Sequence, residues 1–594
     1  MIIPSLRQGA ACFAASLAAA IAIGSYFGAG MQGNAMLLAA FFLFFGAAML
    51  HPGKKDLLLA GLSGFAFSFF RVIGSSYDQL DSYGLIMKNT GTMLRALGAF
   101  IALGAVSACA VLLLFALFDR LRIACARTEN ADPRTRKRLF LFSAILIFLG
   151  SMPYLALYAP GLNIYDTRDQ LLQFFGFSSY IGDGSALSDH HPVFLTVVYG
   201  LFMKLGLAIG SPNAAQLLYS LLSTAVIALA FAYALQTLYD EGVAAKPLYI
   251  VAAFVALYPV FALCAFNMCK DISAAPFVLI LCAQLLKVHR TDGMALKSNR
   301  FALLVFLNAL MLMLTRKPSL YALCFAALFL ILAYKGVRVR MAACLLGAAF
   351  LFQVVYNGMV LPAFGVIPGE TREMLSTPFQ MTARVLHEGE EVTQEELSAI
   401  SRVLNVDVCK EHYNPRLSDP VKDSSNPDMT GEDLAAYLRA FVSVGLRHPT
   451  TYVEAFLNMI YGYFYPSDSN TIVCLTLNSP DQGGLFLTQD PALDDARLNL
   501  HNNIYFVLRR LPGVSALFYV DTVTWLFLLL LVVFLRAEGL KAIAPHMFFV
   551  GTLGICILSP KSGEIRYLMP ILYALPVMLG AALLPKTKEL LHEK

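Results

Sequence analysis

Residues 193–207, VFLTVVYGLFMKLGL, are apolar enough to be read as a membrane span and too short to be a comfortable one. The choice decides how the whole chain threads. A full crossing needs about 20 consecutive apolar residues and this run supplies roughly 15, whereas a helix lying in the interface is a permitted alternative. Counting it as a crossing sends the basic loops after residue 285 to the side opposite the earlier ones. Reading it as an interfacial or re-entrant segment puts every basic cluster on one side: Lys54 and Lys55, the group from Arg120 to Arg138, Lys287 to Arg300, Lys335 to Arg340, Arg536 with Lys541, and Lys586 with Lys588. By the positive-inside bias that side is cytoplasmic, and both termini are expected on it.

The composition sets the class. With 58% apolar and 14% charged residues, and a mean hydropathy of +0.65 over 594 residues, the chain lacks the polar surface to cover a soluble globule. Apolar stretches centre near residues 20, 42, 66, 106, 148, 225, 256, 280, 307, 326, 350, 526, 550 and 576, about fourteen spans. The expected fold is therefore an all-α polytopic membrane protein. The net charge of +5 is modest and its basic residues sit in short clusters between apolar runs, which excludes a nucleic-acid-binding face. The first apolar run, from Ala10 to Gly30, lacks a strong basic leader and is followed by two more spans, so it reads as a retained helix and not a signal peptide. Eleven cysteines, mostly inside apolar runs, read as small core residues. Cys409 and Cys474 stand apart in a long polar segment, where an oxidised pair is open.

The same threading leaves four places on the outer side: residues 159–212, the Lys270-Asp271 turn, the Arg316-Lys317 turn, and everything from about 360 to 515. The last is long enough for a small domain, with helical periodicity at Glu395 to Leu404 and Glu432 to Val444. Tyr452 to Tyr465 is aromatic-rich and reads as a helix resting at the interface.

Polar chemistry concentrates at these outer turns. Helical spacing puts Asp166, Asp169, Gln170 and Gln173 on one face, so a helix flat on the membrane presents two carboxylates upward. One of them is placed to accept a proton from an attacking hydroxyl; the plainer reading is a cap with solvated acids and a satisfied Arg168. His190 and His191, just before Pro192, suit phosphate contact, proton donation or the start of a helix. No ligand spacing there supports zinc. Lys270-Asp271 reads either as a mutual ion pair or as a phosphate contact oriented by the acid. Arg316 and Lys317 emerge on the side that positive charge avoids, which favours an anionic substrate over an anchoring role. Lys561-Ser562-Gly563-Glu564-Ile565-Arg566-Tyr567 forms another outer turn, with Arg566 in reach of a phosphate and Tyr567 free to stack or hydrogen bond. Convergence of Lys270, Arg316, Lys317, Lys561 and Arg566 on one face is the sharper expectation.

Tyr165-Asp166-Thr167 with Gln170, then Ser188, His190-His191-Pro192-Val193, Lys270-Asp271, Arg316-Lys317 and Glu564-Ile565-Arg566-Tyr567 together resemble the bacterial membrane glycosyltransferases of the GT-C superfamily. Within it the chain looks most like the DUF6020 branch, whose outer domain the segments 375–384 and 418–422 also resemble. The resemblance covers roughly residues 140–585. It implies a GT-C-like core over 121–360 with its first outer loop at 159–212, an added four-helix membrane region over 1–120, a mixed extracytoplasmic insertion over 361–515, and closing membrane helices over 516–594. It also implies an inverting transfer of a sugar from a polyprenyl-phosphate carrier to a glycan, lipid or protein acceptor at the outer face of a bacterial plasma membrane. In that scheme Asp166 and Asp271 are the catalytic acids, with Asp169 beside them. Gln170, His190, His191, Lys270, Arg316, Lys317, Glu564, Arg566 and Tyr567 line the substrate. Asp166 and Asp169 do not form the paired acidic motif of the metal-dependent members, so a divalent metal stays open and no metal ligand is assigned. A transporter or flippase of lipid-linked saccharide, or a noncatalytic scaffold of envelope assembly, are the alternatives.

Overall fold

The computed structural model describes residues 6–28, 33–179, 182–369, 371–467, 472, 487–511 and 513–585. Cys474, Lys586 and Lys588 lie outside the described residues.

The amino-terminal region comprises α1 (Leu6–Phe27), α2 (Gly33–Ala48), α3 (Lys54–Leu80), the short α4 (Gly84–Met87) and α5 (Thr90–Cys125). α5 starts where Asn89 and Thr92 form a capping box, which satisfies two donors that the first turn cannot pair internally. α3 stops where Asp81 takes a left-handed backbone, φ 52°. These two helices pack through small residues: a Cβ on Gly64 would stand 2.6 Å from the Gly104 carbonyl oxygen, the close approach that small residues give in lipid.

The middle of the chain contains α6 (Pro133–Leu157), β1 (Leu162–Asn163), α7 (Tyr165–Phe174), α8 (Val193–Ala208), α9 (Pro212–Asp240), α10 (Ala245–Leu257) and α11 (Pro259–Cys264). β2 (Asn267–Met268), α12 (Lys270–Ser273), α13 (Ala275–Arg290), α14 (Asn299–Thr315), α15 (Ser319–Ala333) and α16 (Arg338–Phe350) follow. α16 runs on through a π-helical stretch, Leu351–Val360, into α17 (Leu361–Ala363). The ambiguous segment is α8, whose 16 residues extend about 24 Å, short of the roughly 30 Å hydrocarbon layer. It buries Leu195, Tyr199 and Met203 beside α7 and α9 and leaves Leu201 and Leu205 exposed.

A helical insertion then carries its own core. α18 (Ser376–His387), α19 (Gln394–Ser401), α20 (Val406–Glu411), α21 (Asp419–Asp423) and α22 (Gly431–Arg447) bury Phe379, Ile400, Val403, Val421 and Tyr437 together with Cys409. Capping boxes at Thr393 with Glu396, and at Thr430 with Asp433, start α19 and α22. The regular structure of the described insertion is helical, and the one sheet among the described residues, β1 with β2, lies outside it. α23 (Pro449–Ile460) and α24 (Asp494–Asn502) lead to α25 (Val520–Glu538), α26 (Met547–Ile557) and α27 (Ile565–Ala582). The Tyr452 to Tyr465 segment packs its aromatic end into the bundle. Tyr461 and Tyr463 are fully buried, and Phe464 stacks on Phe70 of α3 at 4.2 Å, contacts that bury large aromatic surface.

Ten helices among the described residues are long and apolar enough to cross a membrane, and five shorter apolar helices, α8 among them, accompany them. Leu58, Leu62, Ile145, Leu149 and Leu328 point outward from them. The chain is thus an all-α, multi-pass membrane protein.

The insertion ties the amino-terminal region to the carboxyl-terminal one. Arg416 Nε donates to Asp81 at 3.1 Å, and its Nη2 to the Asp78 carbonyl at 2.9 Å. Asn458 donates to the Asp81 carbonyl at 2.7 Å. On its other side the Ser418 N–H donates to the Pro560 carbonyl at 2.7 Å, and the Ser562 N–H to the Arg416 carbonyl at 2.9 Å. The turn between α26 and α27 is held by the insertion.

Candidate active site

The smallest elements of the fold build the site. β1 and β2 pair in parallel, Leu162 with Asn267 and Asn163 with Met268, and Thr167 Oγ1 donates to the Met268 carbonyl. Each strand is followed by one extended residue, Ile164 or Cys269, and then by a helix. The parallel register therefore sets the starts of α7 and α12 side by side, with Asp166 and Asp271 each second in its helix. A carboxylate there meets the positive end of the helix.

Around these acids the cations interleave. Lys270 Nζ lies 2.9 Å from Asp166 Oδ2, and Arg566 Nη2 donates to the same oxygen at 2.5 Å. Arg566 Nη1 donates to the Tyr165 hydroxyl at 2.9 Å, with the guanidinium 5.4 Å from that ring's centre. Its Nε stands 3.7 Å from Asp271 Oδ2. Arg316 Nε donates to Asp271 Oδ1 at 3.1 Å and its Nη2 to the Tyr567 carbonyl at 3.0 Å. Lys270 Nζ also donates to His191 Nδ1 at 3.0 Å; an ammonium only donates, so that imidazole is neutral with its proton on Nε2.

Two carboxylates here face a lysine and two arginines, all linked by these contacts. Burial by itself would raise the Asp166 carboxyl, but Lys270 and then Arg566 hold it well below the usual carboxylate range. Burial pushes His191 well down, with Lys270 adding to the effect. Burial likewise brings His190 down to about 4, opposed by Glu373 and reinforced by Lys270. Neither imidazole offsets the acids at neutral pH. Arg316 Nη1 and Arg566 Nε are buried without a hydrogen-bond partner among the described residues. Such a donor forgoes a charge-assisted bond and is costly to leave so. The cluster carries one more positive than negative charge and has donors to spare, a composition that accepts an anion.

The expected residues divide between this cluster and its surroundings. Lys270, Arg316 and Arg566 converge on the two acids, but Lys270 and Asp271 are not each other's partner. Lys270 reaches across to Asp166, and Asp271 to Arg316. Asp166 is 7% exposed, so α7 does not present solvated carboxylates upward. Asp169 is half-buried on the same helix, and the contacts to Lys270 and Arg566 run through Asp166 instead. Gln170 is fully buried and donates to Thr196 Oγ1 of α8 at 3.0 Å. Arg168 is not satisfied, its Nε being buried without a partner among the described residues. Lys317 bonds Asp189 Oδ2 at 2.8 Å and the Asp189 carbonyl. Lys561 is exposed and bonds Glu564 Oε2 at 2.6 Å. Glu564 caps α27 by accepting from the Arg566 N–H at 3.3 Å, so it aims Arg566. Tyr567 contributes its carbonyl to Arg316. His190 packs edge-on against His191, ring centres 4.7 Å apart.

Tyr165 and Thr167 are part of the machinery that sequence reasoning left out of the site. Their signal was position: each adjoins Asp166, and Thr167 carries the hydroxyl that locks β1 to β2. The acids and cations do not suit a divalent ion, since three positive side chains crowd the two carboxylates, Lys270 and Arg566 on Asp166 Oδ2 and Arg316 on Asp271 Oδ1. Among the described residues no group of three or more His, Cys, Asp or Glu side chains is placed to hold a metal.

A family model described as a family of unknown function (DUF6020) matches residues 182–593. It takes in His190, His191, Lys270, Asp271, Arg316, Lys317, Glu564, Arg566 and Tyr567. It begins later than the roughly 140 expected from the resemblance, leaving Asp166 and the earlier helices outside the match. No curated protein and no solved structure matches the chain.

Proposed function

The chain belongs to the DUF6020 family, and from the geometry of its site we propose that it is an inverting glycosyltransferase of GT-C type. It takes a sugar from a polyprenyl-phosphate-linked donor and passes it to a glycan, lipid or protein acceptor of the cell envelope. The observation that carries this reading is the Asp166 carboxylate, held ionised by Lys270 and Arg566 at a helix start beside the membrane-spanning bundle, within a cluster whose surplus positive charge suits a phosphate. The threading that accompanies it counts α2, α10, α14 and α15 with the ten longer helices as about fourteen spans. α8 lies along the outer face, and the basic loops and both termini face the cytoplasm of a bacterium. Residues 1–120 are the added membrane region, 121–360 the catalytic core, 361–515 the outer insertion, and 516–594 the closing helices.

The chemistry is a displacement at the anomeric carbon. The acceptor oxygen forms a bond to that carbon as the bond to the phosphate oxygen breaks, and the electron pair leaves with the polyprenyl phosphate. Lys270 and Arg566 stabilise the charge that gathers there, and Arg316 supports Asp271 behind them. The acceptor's proton goes to Asp166. A carboxylate so strongly stabilised is a weak base, but the donor's phosphate competes for the same two cations. As Lys270 and Arg566 turn toward the phosphate, Asp166 loses its counterions and its basicity rises toward the ordinary carboxylate value. Donor binding thus activates the base. His191, held neutral by Lys270, and His190 beside it are placed to hydrogen bond the donor.

The test is transfer from a panel of radiolabelled polyprenyl-phosphate sugars to membrane extract, by the protein purified in lipid, with and without chelator. Asp166→Asn should lower incorporation by about 10²- to 10⁴-fold, and chelator should leave it unchanged. Transfer at the wild-type rate by Asp166→Asn contradicts the assignment. Donor binding without turnover in either protein, once acceptors have been varied, moves the weight to transport or scaffolding.

A further inference from the structure

A cavity of about 620 Å³ lies between α3, α5 and α25, away from the acidic cluster. Its volume falls within the range of small-molecule sites. All three helices are long and apolar enough to span a membrane, and the lining is hydrocarbon over most of its length, with Leu114 and Val532 among its residues. Leu62 and Leu526, on its rim, are 63% and 42% exposed, so the cavity is bordered by surface that faces lipid.

At one end the lining turns polar. Arg71 of α3 donates to Asp521 Oδ2 at 2.9 Å, in the first turn of α25. The guanidinium sits 4.6 Å from the centre of the Phe67 ring, and Trp525 closes that end by donating to the Phe464 carbonyl at 2.9 Å. Asp521 is 1% exposed, and its other oxygen, Oδ1, is buried without a hydrogen-bond partner among the described residues. Arg71 is 21% exposed. Ionisable side chains beside lipid are expensive and mark a candidate functional site. Here it offers an anion the guanidinium and a hydrogen-bond donor the free carboxylate oxygen.

We propose that this cavity is a binding site for a zwitterionic phospholipid bearing a primary ammonium, one hydrocarbon chain lying between α3, α5 and α25, the phosphate on Arg71 and the ammonium on Asp521 Oδ1. Charge complementarity selects that headgroup. The pair is neutral overall, so a neutral headgroup with separated charges matches it, and Oδ1 needs an N–H, which a quaternary ammonium lacks. Two walls of the site, α3 and α5, precede the segment matched by the family model, and the third, α25, lies within it. The amino-terminal helices therefore complete a lipid site on the family's core. The inference does not rest on glycosyl transfer.

The test is native mass spectrometry of the full-length protein released from a bilayer of equal parts phosphatidylethanolamine and phosphatidylcholine with matched chains. Wild type should retain the ethanolamine lipid about tenfold over the choline lipid, the worth of one charge-assisted hydrogen bond. The paired substitution Arg71→Gln with Asp521→Asn removes both charges together, leaves no lone buried ion, and should abolish the preference while a lipid chain is still retained. Ala110→Phe, which fills the cavity without touching the pair, should reduce retention of both lipids about tenfold. Equal retention of the two lipids by wild type overturns the headgroup assignment, and wild-type retention by Ala110→Phe overturns the site.

Discussion

Two arginines, Arg536 at one end of the bundle and Arg566 at the other, each bind carboxylates from distant parts of the chain, and they differ in what is left over. Arg536, in the last turn of α25, donates through Nε and Nη2 to Asp56 at 2.9 and 3.1 Å and through Nη1 to Asp119 at 2.8 Å. Both acids are on amino-terminal helices, so one guanidinium clamps α3 and α5 to α25, with all three nitrogens used and, with Arg122 also 3.8 Å from Asp119, the charges balanced. Arg566 and its neighbour Arg316 keep buried nitrogens without a hydrogen bond among the described residues, in a cluster with positive charge in excess. A satisfied network stabilises; a partly satisfied one of high charge density is what a ligand completes. On the proposed function, the same residue type is a fastener at one end and a receptor at the other.

Substitutions can break that contrast. Arg566→Gln removes the donor shared by Asp166 and Tyr165 and should lower glycosyl transfer about 10²- to 10³-fold, measured in lipid on protein checked for folding. Arg536→Gln should cost stability instead, by about 1 to 2 kcal/mol once the partial exposure of its partners is allowed for. A thermal melt in lipid would show it, with transfer by the folded fraction unchanged. Should Arg536→Gln abolish transfer without lowering the melting temperature, the fastener reading is wrong.

Acid probes the Arg566 end through His191, which is buried, and His190, which is partly so; the Arg536 end has a buried imidazole of its own, His546, stacked on Phe534. His190 has its folded value lowered to about 4 and His191 is lowered as well, so below about 6.5 the unfolded chain binds protons that the folded one refuses. Their contribution to stability is whole above that pH and declines as pH falls toward the folded values, at no more than about 1.36 kcal/mol per pH unit for each imidazole. The Asp166 carboxyl is lowered too, but from a lower ordinary value, so its contribution is present above about 3.9 and is lost only below it. Melting temperatures from pH 7 to 5 should therefore fall less in His190→Gln than in wild type. The smallest effect is expected from Lys561→Gln. Its exposed pair with Glu564 is worth about 0 to 1 kcal/mol, and transfer should stay within about twofold of wild type.

Much of this was readable from the chain. Apolar runs and basic loops marked the helices, helical periodicity marked α19 and α22, and cations at the outer turns singled out Lys270, Arg316 and Arg566. What stayed hidden was pairing. Lys270 and Asp271 are neighbours in sequence and invite a mutual bridge, yet consecutive residues at a helix start point apart, and the partner of each is fixed by two residues of parallel strand. The aromatic segment ending at Tyr465 carried an interface signature, but the amino-terminal helices supply a surface to bury it, and nothing local encodes their arrival. Gln170 looked like a site residue because it shares a face with Asp166; that face is where α8 packs.

The central claim is that the Arg566 end is a receptor for phosphate and the Arg536 end is not. The most direct measurement is binding of a short-chain polyprenyl phosphate to the purified protein in lipid, by wild type, Arg566→Gln and Arg536→Gln at matched folded fraction. The account predicts an affinity about tenfold or more weaker in Arg566→Gln and unchanged in Arg536→Gln. Equal affinity in all three proteins would contradict it.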